Sequence, residues 1–144
     1  NGGSAMDIAF RFVEAINRLD LEGLVALMSR DYAFVEFSGE RHEGREEAGR
    51  EGWRGYMTSF PDYMIHVSEV HEVGDTVYLA GSTTGSHLNL PRAEEFRDPL
   101  IWAAKISGGR VVEWRLHYET PESRRELGLP PAGEFRVSVN GIEA

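Results

Sequence analysis

The sequence predicts an α+β domain with helices first and a mainly antiparallel sheet after them. Apolar residues recur at helical spacing up to Phe60, and from Tyr63 to Glu119 the pattern turns to β-rich runs. Those runs are joined by turns too short for the crossover that parallel strands require.

Ile8, Phe12, Ala15, Ile16 and Leu19 share one helical face, which predicts an amphipathic helix over 6–19. Asp20 is an N-cap for a short second helix that buries Leu21, Leu24, Val25, Leu27 and Met28. Tyr32 to Phe37, aromatic and β-branched, reads as a strand stopped at Ser38-Gly39. Trp53, Tyr56, Met57 and Phe60 then return to helical spacing, giving a third helix over 45–60 closed by Pro61-Asp62. Gly49, Gly52 and Gly55 lie in that helix, and each costs about 0.8–1 kcal/mol against Ala. Packing of the aromatic face must hold it, with close approach to a sheet as the reason for the glycines; a looser, irregular segment is the competing reading. Four strands follow at 63–73, 76–87, 96–106 and 110–119. Gly74-Asp75 and Ser107-Gly108-Gly109 are tight-turn chemistry, and Asn89 to Glu94 forms a longer loop. Leu127-Gly128-Leu129-Pro130-Pro131 closes the domain.

A chain of 144 residues is one domain, expected over 6–130. Asn1-Gly2-Gly3-Ser4-Ala5 reads as an expression-tag remnant, and 131–144 as a tail that offers an edge strand at 134–139 or faces a partner. With 15 basic and 24 acidic residues, the net charge of −9 disfavours nucleic acid and anionic membrane surfaces. The absence of Cys excludes disulfides, thiolate catalysis and Cys-ligated metals. No apolar run nears the roughly 18 residues of a membrane helix, so a cytoplasmic protein is expected.

Arg11-Phe12-Val13-Glu14-Ala15-Ile16-Asn17, followed by Leu19-Asp20-Leu21-Glu22-Gly23-Leu24-Val25-Ala26-Leu27, resembles the opening of ketosteroid isomerases and SnoaL-like polyketide cyclases. Phe60-Pro61-Asp62, Gly74-Asp75, Gly109-Arg110-Val111-Val112-Glu113-Trp114-Arg115 and Leu127-Gly128-Leu129 are similar to later SnoaL-like landmarks. The resemblance spans 7–130 and implies the nuclear-transport-factor-2-like fold, a cone-shaped curved antiparallel sheet wrapped around the N-terminal helices. It also implies a homodimer, through an outer sheet face carrying Tyr78, Thr84, Val112, Glu113, Arg115 and His117. Carried across, the isomerase general base falls on Glu36, its oxyanion-hole tyrosine on Phe12 and its protonated aspartic acid near Trp102. Phe12 has no hydroxyl and Trp102 offers only an indole N–H, which counts against steroid isomerisation. The limonene epoxide hydrolase pattern fails, since its Arg and two Asp fall on Gly81, Thr83 and Leu116.

With strand parity taken from the resemblance, alternation gives a cavity wall. Phe34 and Glu36, then Leu79, Gly81, Thr83, Gly85 and His87, then Asp98, Leu100, Trp102 and Ala104, then Trp114, Leu116 and Tyr118 point inward. The ligand-facing set is Phe12, Phe34, Trp53, Trp102, Trp114, Leu116 and Tyr118, although a stripe such as Trp53, Tyr56, Met57 and Phe60 is more often a helix's core than a ligand box. Glu36 among these aromatics is costly to ionise, which suits a general base; pairing with an Arg such as Arg11, or solvent exposure, is the bland reading. His87 and Asp98 fall opposite one another if the loop between them is symmetric, so that Asp98 fixes the imidazole for proton transfer; a rim salt bridge is the alternative. His66 and His71 face opposite ways, His42 lies in a charged loop and His117 points outward, so neither a metal nor a cofactor is expected.

Three functions fit. One is a small enzyme that isomerises, cyclises or dehydrates a hydrophobic carbonyl compound. Another is a non-catalytic binder of small hydrophobic ligands. The third is an assembly module whose pocket is filled by its own aromatics, and cavity volume separates it from the first two.

Overall fold

Ser4 opens the first helix: its hydroxyl accepts the Asp7 N–H at 3.1 Å, and α1 runs Ala5–Asn17. The computed structural model describes residues 4–133 and the backbone of 138–139 and 142–143. Ile8, Phe12 and Ile16 of α1 are fully buried, as the spacing predicts. Asp20 caps α2 (Leu21–Ala26) by accepting the Gly23 N–H at 3.0 Å.

β1 (Met28–Val35) begins earlier than expected and turns at 36–40 into β2 (Arg41–Glu43), a strand absent from the sequence reading. The expected third helix is two structures, a π-helical segment at Arg45–Glu51 and then α3 (Gly52–Ser59). Only one of its glycines meets the sheet: a Cβ on Gly49 would lie 2.5 Å from Met28 Sδ of β1, whereas one on Gly55 would meet nothing within 4 Å.

β3 (Met64–Val73), β4 (Thr76–Thr84), β5 (Leu100–Ser107) and β6 (Arg110–Tyr118) form the expected antiparallel meander. The six-stranded order is β2-β1-β6-β5-β4-β3, and the β1–β6 pair is parallel. That departure from an all-antiparallel sheet follows from chain length, since everything from β2 to β5 intervenes and supplies the crossover. The sheet is curved and unclosed, and β3 carries a bulge between Val67 and Glu69, opposite Gly81 and Ala80. Its inner face, with Val77, Leu79, Trp102, Ala104, Val111 and Trp114, closes on α1. The Asn17 side chain ties α1 to the β3 edge, donating to Ile65 O at 3.0 Å and accepting from Ile65 N at 2.8 Å.

Two strand boundaries are corrected. β4 stops at Thr84 instead of 87, and α4 (Arg92–Phe96) occupies the region where loop and strand meet in the sequence reading. On the outer face α5 (Pro121–Leu127), capped by Thr120, leads to Leu129, which packs on Ala80 and Ile101. The tail expectation at 134–139 falls mostly outside the described residues; β7 (Ser138–Val139) pairs with β8 (Ile142–Glu143) apart from the main sheet. Among the described residues, no helix is long and apolar enough to cross a membrane.

Candidate functional site

Pairing brings the aromatic residues of three strands into one inner layer. Phe34 of β1 lies beside Trp114 of β6, and Trp102 of β5 beside Leu116 of β6. Trp102 and Trp114 stack at 6.4 Å and 23°. Above them α3 adds Trp53 and Tyr56, and the segment before β3 adds Tyr63. The result is a partly open cavity of about 210 Å³ lined by these side chains with Ala48, Gly52 and His87. Trp53 is held in place by donating its indole N–H to Tyr32 Oη at 3.3 Å.

Of the expected ligand-facing residues, Phe34, Trp53, Trp102, Trp114 and Leu116 line the cavity. Phe12 is instead a layer deeper, fully buried with its ring 4.7 Å from Trp114, so it props the wall and does not form it. Tyr118 is 62% exposed and stacks on Phe37 at 4.5 Å, because it is the last residue of β6 and lies at the rim.

The three expected catalytic residues do not converge. Glu36 follows the last residue of β1, and its side chain is 42% exposed at 2.5 Å from His42 Nε2. The unforeseen β2 causes this, since it returns His42 opposite Phe34 and stacks the imidazole on that ring at 6.0 Å. Glu36 is therefore not the desolvated carboxylate that alternation implied. With Glu40 and His42 it places three potential metal-ligating side chains within 4.8 Å, because His42 lies on β2 and not in a charged loop. Asp98 is exposed, and α4 breaks the hairpin symmetry that was to set it against His87.

His87 does line the cavity, with a different partner. Tyr56 Oη lies 2.8 Å from His87 Nδ1 and accepts the His87 backbone N–H at 3.2 Å. Gly85 makes this possible: at φ +72° it turns the chain off β4, and a Cβ there would lie 2.5 Å from Asp62 O. Burial raises the pKa of the Tyr56 phenol above its ordinary value, with the nearby Glu95 charge adding to it. Tyr63 is pushed much further up, first by burial and then by Tyr56 and Glu95, so both phenols stay protonated near neutral pH. The cavity thus offers one imidazole and two neutral phenols in an otherwise apolar wall. Sequence reasoning missed Tyr56 and Tyr63 as site residues; helical spacing assigned Tyr56 to the core, and Tyr63 opens the expected 63–73 strand, to which alternation assigned no inward set, whereas the strand starts at Met64.

A family model described as a SnoaL-like domain matches residues 9–114. No curated protein matches the sequence. Several solved structures share the fold. An uncharacterised cystatin-fold protein from Novosphingobium aromaticivorans aligns with a TM-score of 0.68 at 20% identity, covering 79% of this chain and 97% of that one. A putative polyketide cyclase from Sinorhizobium meliloti gives 0.64 at 20% identity, with 80% and 100% covered. A hypothetical protein from Catenulispora acidiphila with a ketosteroid isomerase-like fold gives 0.60 at 18% identity, with 85% and 93% covered.

Proposed function

The chain belongs to the SnoaL-like family, and from that premise we propose that it is a small, cofactor-independent enzyme moving a proton on a hydrophobic carbonyl compound. Isomerisation, cyclisation and dehydration are the reaction classes this chemistry covers. The observation that carries the reading is a histidine, oriented by a tyrosine, at an apolar aromatic cavity. In the proposed step a C–H bond next to the carbonyl breaks, its proton goes to His87 Nε2, and the electron pair moves onto the carbonyl oxygen. The Tyr63 hydroxyl, kept protonated by burial, donates to that oxygen as charge develops. His87 then returns the proton to another atom of the same molecule.

Cavity size limits the substrate. An engineered cavity of roughly 150 Å³ holds benzene, and drug-sized ligands use roughly 300–1,000 Å³. A volume of about 210 Å³ therefore suits one ring or a compact bicycle better than a four-ring skeleton. Glu36 and His42 form a rim pair in this reading, and Asp98 has no part in the chemistry. The test is a panel of small cyclic ketones followed by turnover and by fluorescence of Trp53, Trp102 and Trp114. His87→Gln lowers kcat by about 10²-fold with little change in KM. Unchanged turnover in that variant refutes the assignment.

The binder reading has one observation in its favour: no carboxylate is among the cavity-lining residues. It predicts equal ligand affinity for the wild type and His87→Gln, with no turnover in either.

A further inference from the structure

Of the residues that line the cavity, Gly52 and His87 are the exposed ones, and they mark its mouth. Tyr56 stands between them. It follows Gly52 by four residues on α3, so the two share one helix face a turn apart, and its hydroxyl lies 2.8 Å from His87 Nδ1. The residue after His87 is Leu88, 46% exposed, so apolar surface borders the mouth on that side. The volume inside, about 210 Å³, holds a ring, and a longer molecule must extend through this opening.

Nothing in the fold requires glycine at position 52. Its backbone is ordinary helix, at φ −60° and ψ −49°. Among the described residues a Cβ there would meet only the Glu47 carbonyl oxygen, at a comfortable 3.8 Å. Gly49 differs, because Met28 Sδ leaves no room for a side chain. Glycine is the poorest helix former after proline, so Gly52 weakens the helix without avoiding a clash. Gly55 does the same, which shows that a helical glycine alone carries no meaning here. Position separates the two. Gly55 does not line the cavity, whereas a side chain at 52 would project from the Tyr56 face across the mouth.

We propose that Gly52 determines substrate specificity by leaving a gap at the mouth, through which an aliphatic substituent passes while the ring that bears it sits inside among Trp53, Trp102 and Trp114. The substrate class narrows to a cyclic ketone carrying a hydrocarbon chain, in place of a bare ring or a fused four-ring skeleton. A chain opposite the carbonyl suits this best, since the carbonyl then stays inside with the ring. The assignment rests on the reading of the cavity as a site for hydrophobic carbonyl compounds. It holds whether or not the bound compound is turned over.

Quenching of tryptophan fluorescence reads binding of two probes, cyclohexanone and a cyclohexanone with a heptyl chain opposite its carbonyl. The wild type is expected to bind the heptyl ketone about tenfold or more tightly than cyclohexanone, because each buried CH₂ adds affinity. Gly52→Leu fills the gap and is expected to bring the two affinities within about threefold of one another. Gly55→Leu places the same apolar side chain on the same helix but off the cavity, and should keep the wild-type ratio. Gly52→Ala and Gly55→Ala should both raise Tm, since alanine favours the helix, yet the ratio of affinities should fall in Gly52→Ala alone. That variant carries the test if Gly52→Leu does not fold. A wild type that binds neither ketone, or binds both equally, overturns the assignment. So does a ratio that is unchanged in the Gly52 variants or lowered equally in Gly55→Leu. Absence of turnover with this pattern of affinities intact refutes the enzyme reading instead and leaves the role of Gly52 standing.

Discussion

Arg124→Met is expected to cost the fold about 3–5 kcal/mol while leaving the cavity untouched. Arg124 is 2% exposed, on the buried side of α5 at the outer face of the sheet. Its guanidinium donates to both Glu69 oxygens at 3.2 and 3.0 Å, to both Glu119 oxygens through Nε at 3.0 and 2.9 Å, and to Pro130 O at 2.8 Å. For Glu69, burial works against ionisation, but Arg124 and His71 outweigh it and hold the carboxyl below its ordinary value. Removing the arginine leaves two partly buried carboxylates side by side, with His71, 3.2 Å from Glu69, as partial compensation. The loss is a large share of the roughly 5–15 kcal/mol that holds a typical domain together. For a domain of this size it corresponds to a fall in Tm of about 10–20 °C. Urea unfolding should show a lower midpoint with an unchanged slope. The triple variant Glu69→Gln, Glu119→Gln, Arg124→Met should recover more than half of the loss, because it removes the stranded charges as well. A single-variant cost below about 1 kcal/mol, or a triple variant no better than the single one, refutes this account. A change in ligand affinity at the cavity would show that the outer clamp and the inner site are coupled, contrary to this placement.

Acid should destabilise the fold in two stages. His66 is held below 6.5 by burial and then Arg92, and His117 by burial and then Arg115. The unfolded chain therefore takes up protons first, so their contribution is complete above pH 6.5 and is lost as pH falls below it. Glu69 and Glu113, both held below 4.5, add a second loss under that value. Urea midpoints between pH 7 and 5 should flatten in His66→Gln and His117→Gln; a midpoint that rises on acidification contradicts the sign. Phe12→Ala is expected to cost about 3–5 kcal/mol by urea unfolding and to weaken cavity ligands, because the Trp114 wall loses its support. We also propose a homodimer through the outer face of the sheet, around Val112, Arg115 and His117. Light scattering should give twice the 16.2 kDa chain mass, about 32 kDa, and a monomer at micromolar concentration contradicts it.

Much of the fold was legible because its signals are local and repeated. The α1 stripe, the Asp20 cap and the turns at Gly74 and Gly108 each fix an element without knowledge of the rest. Three short elements were not read. α5 had its signals, Thr120 as cap, Pro121 at the first helical position and Gly128 at φ +79°, but seven residues present too little apolar periodicity to draw attention. α4 has no side-chain cap bond, and its defining interaction, Glu95 with Thr83, spans 12 residues. β2 is three residues long with an exposed face, so its evidence is the pairing with β1 and not its composition.

The candidate site divides along the same physical line. Inside a paired strand, alternation is enforced by the ladder, and Phe34, Trp102, Trp114 and Leu116 line the cavity. Past the last ladder bond nothing enforces it. Glu36 is one residue beyond β1, His87 three beyond β4, and Asp98 two before β5. Glu36 and Asp98 left the cavity; His87 reached it only because Gly85 redirected the chain and Tyr56 caught both its ring and its backbone. A concave sheet makes this division general within the molecule. Strand interiors supply an apolar wall, and polar side chains capable of chemistry gather at the open end, where strand geometry no longer fixes their direction. Hydrogen bonds must do that work instead. The orientation of His87 is therefore expected to depend on the two contacts it makes with Tyr56, one at ring Nδ1 and one at its backbone N–H.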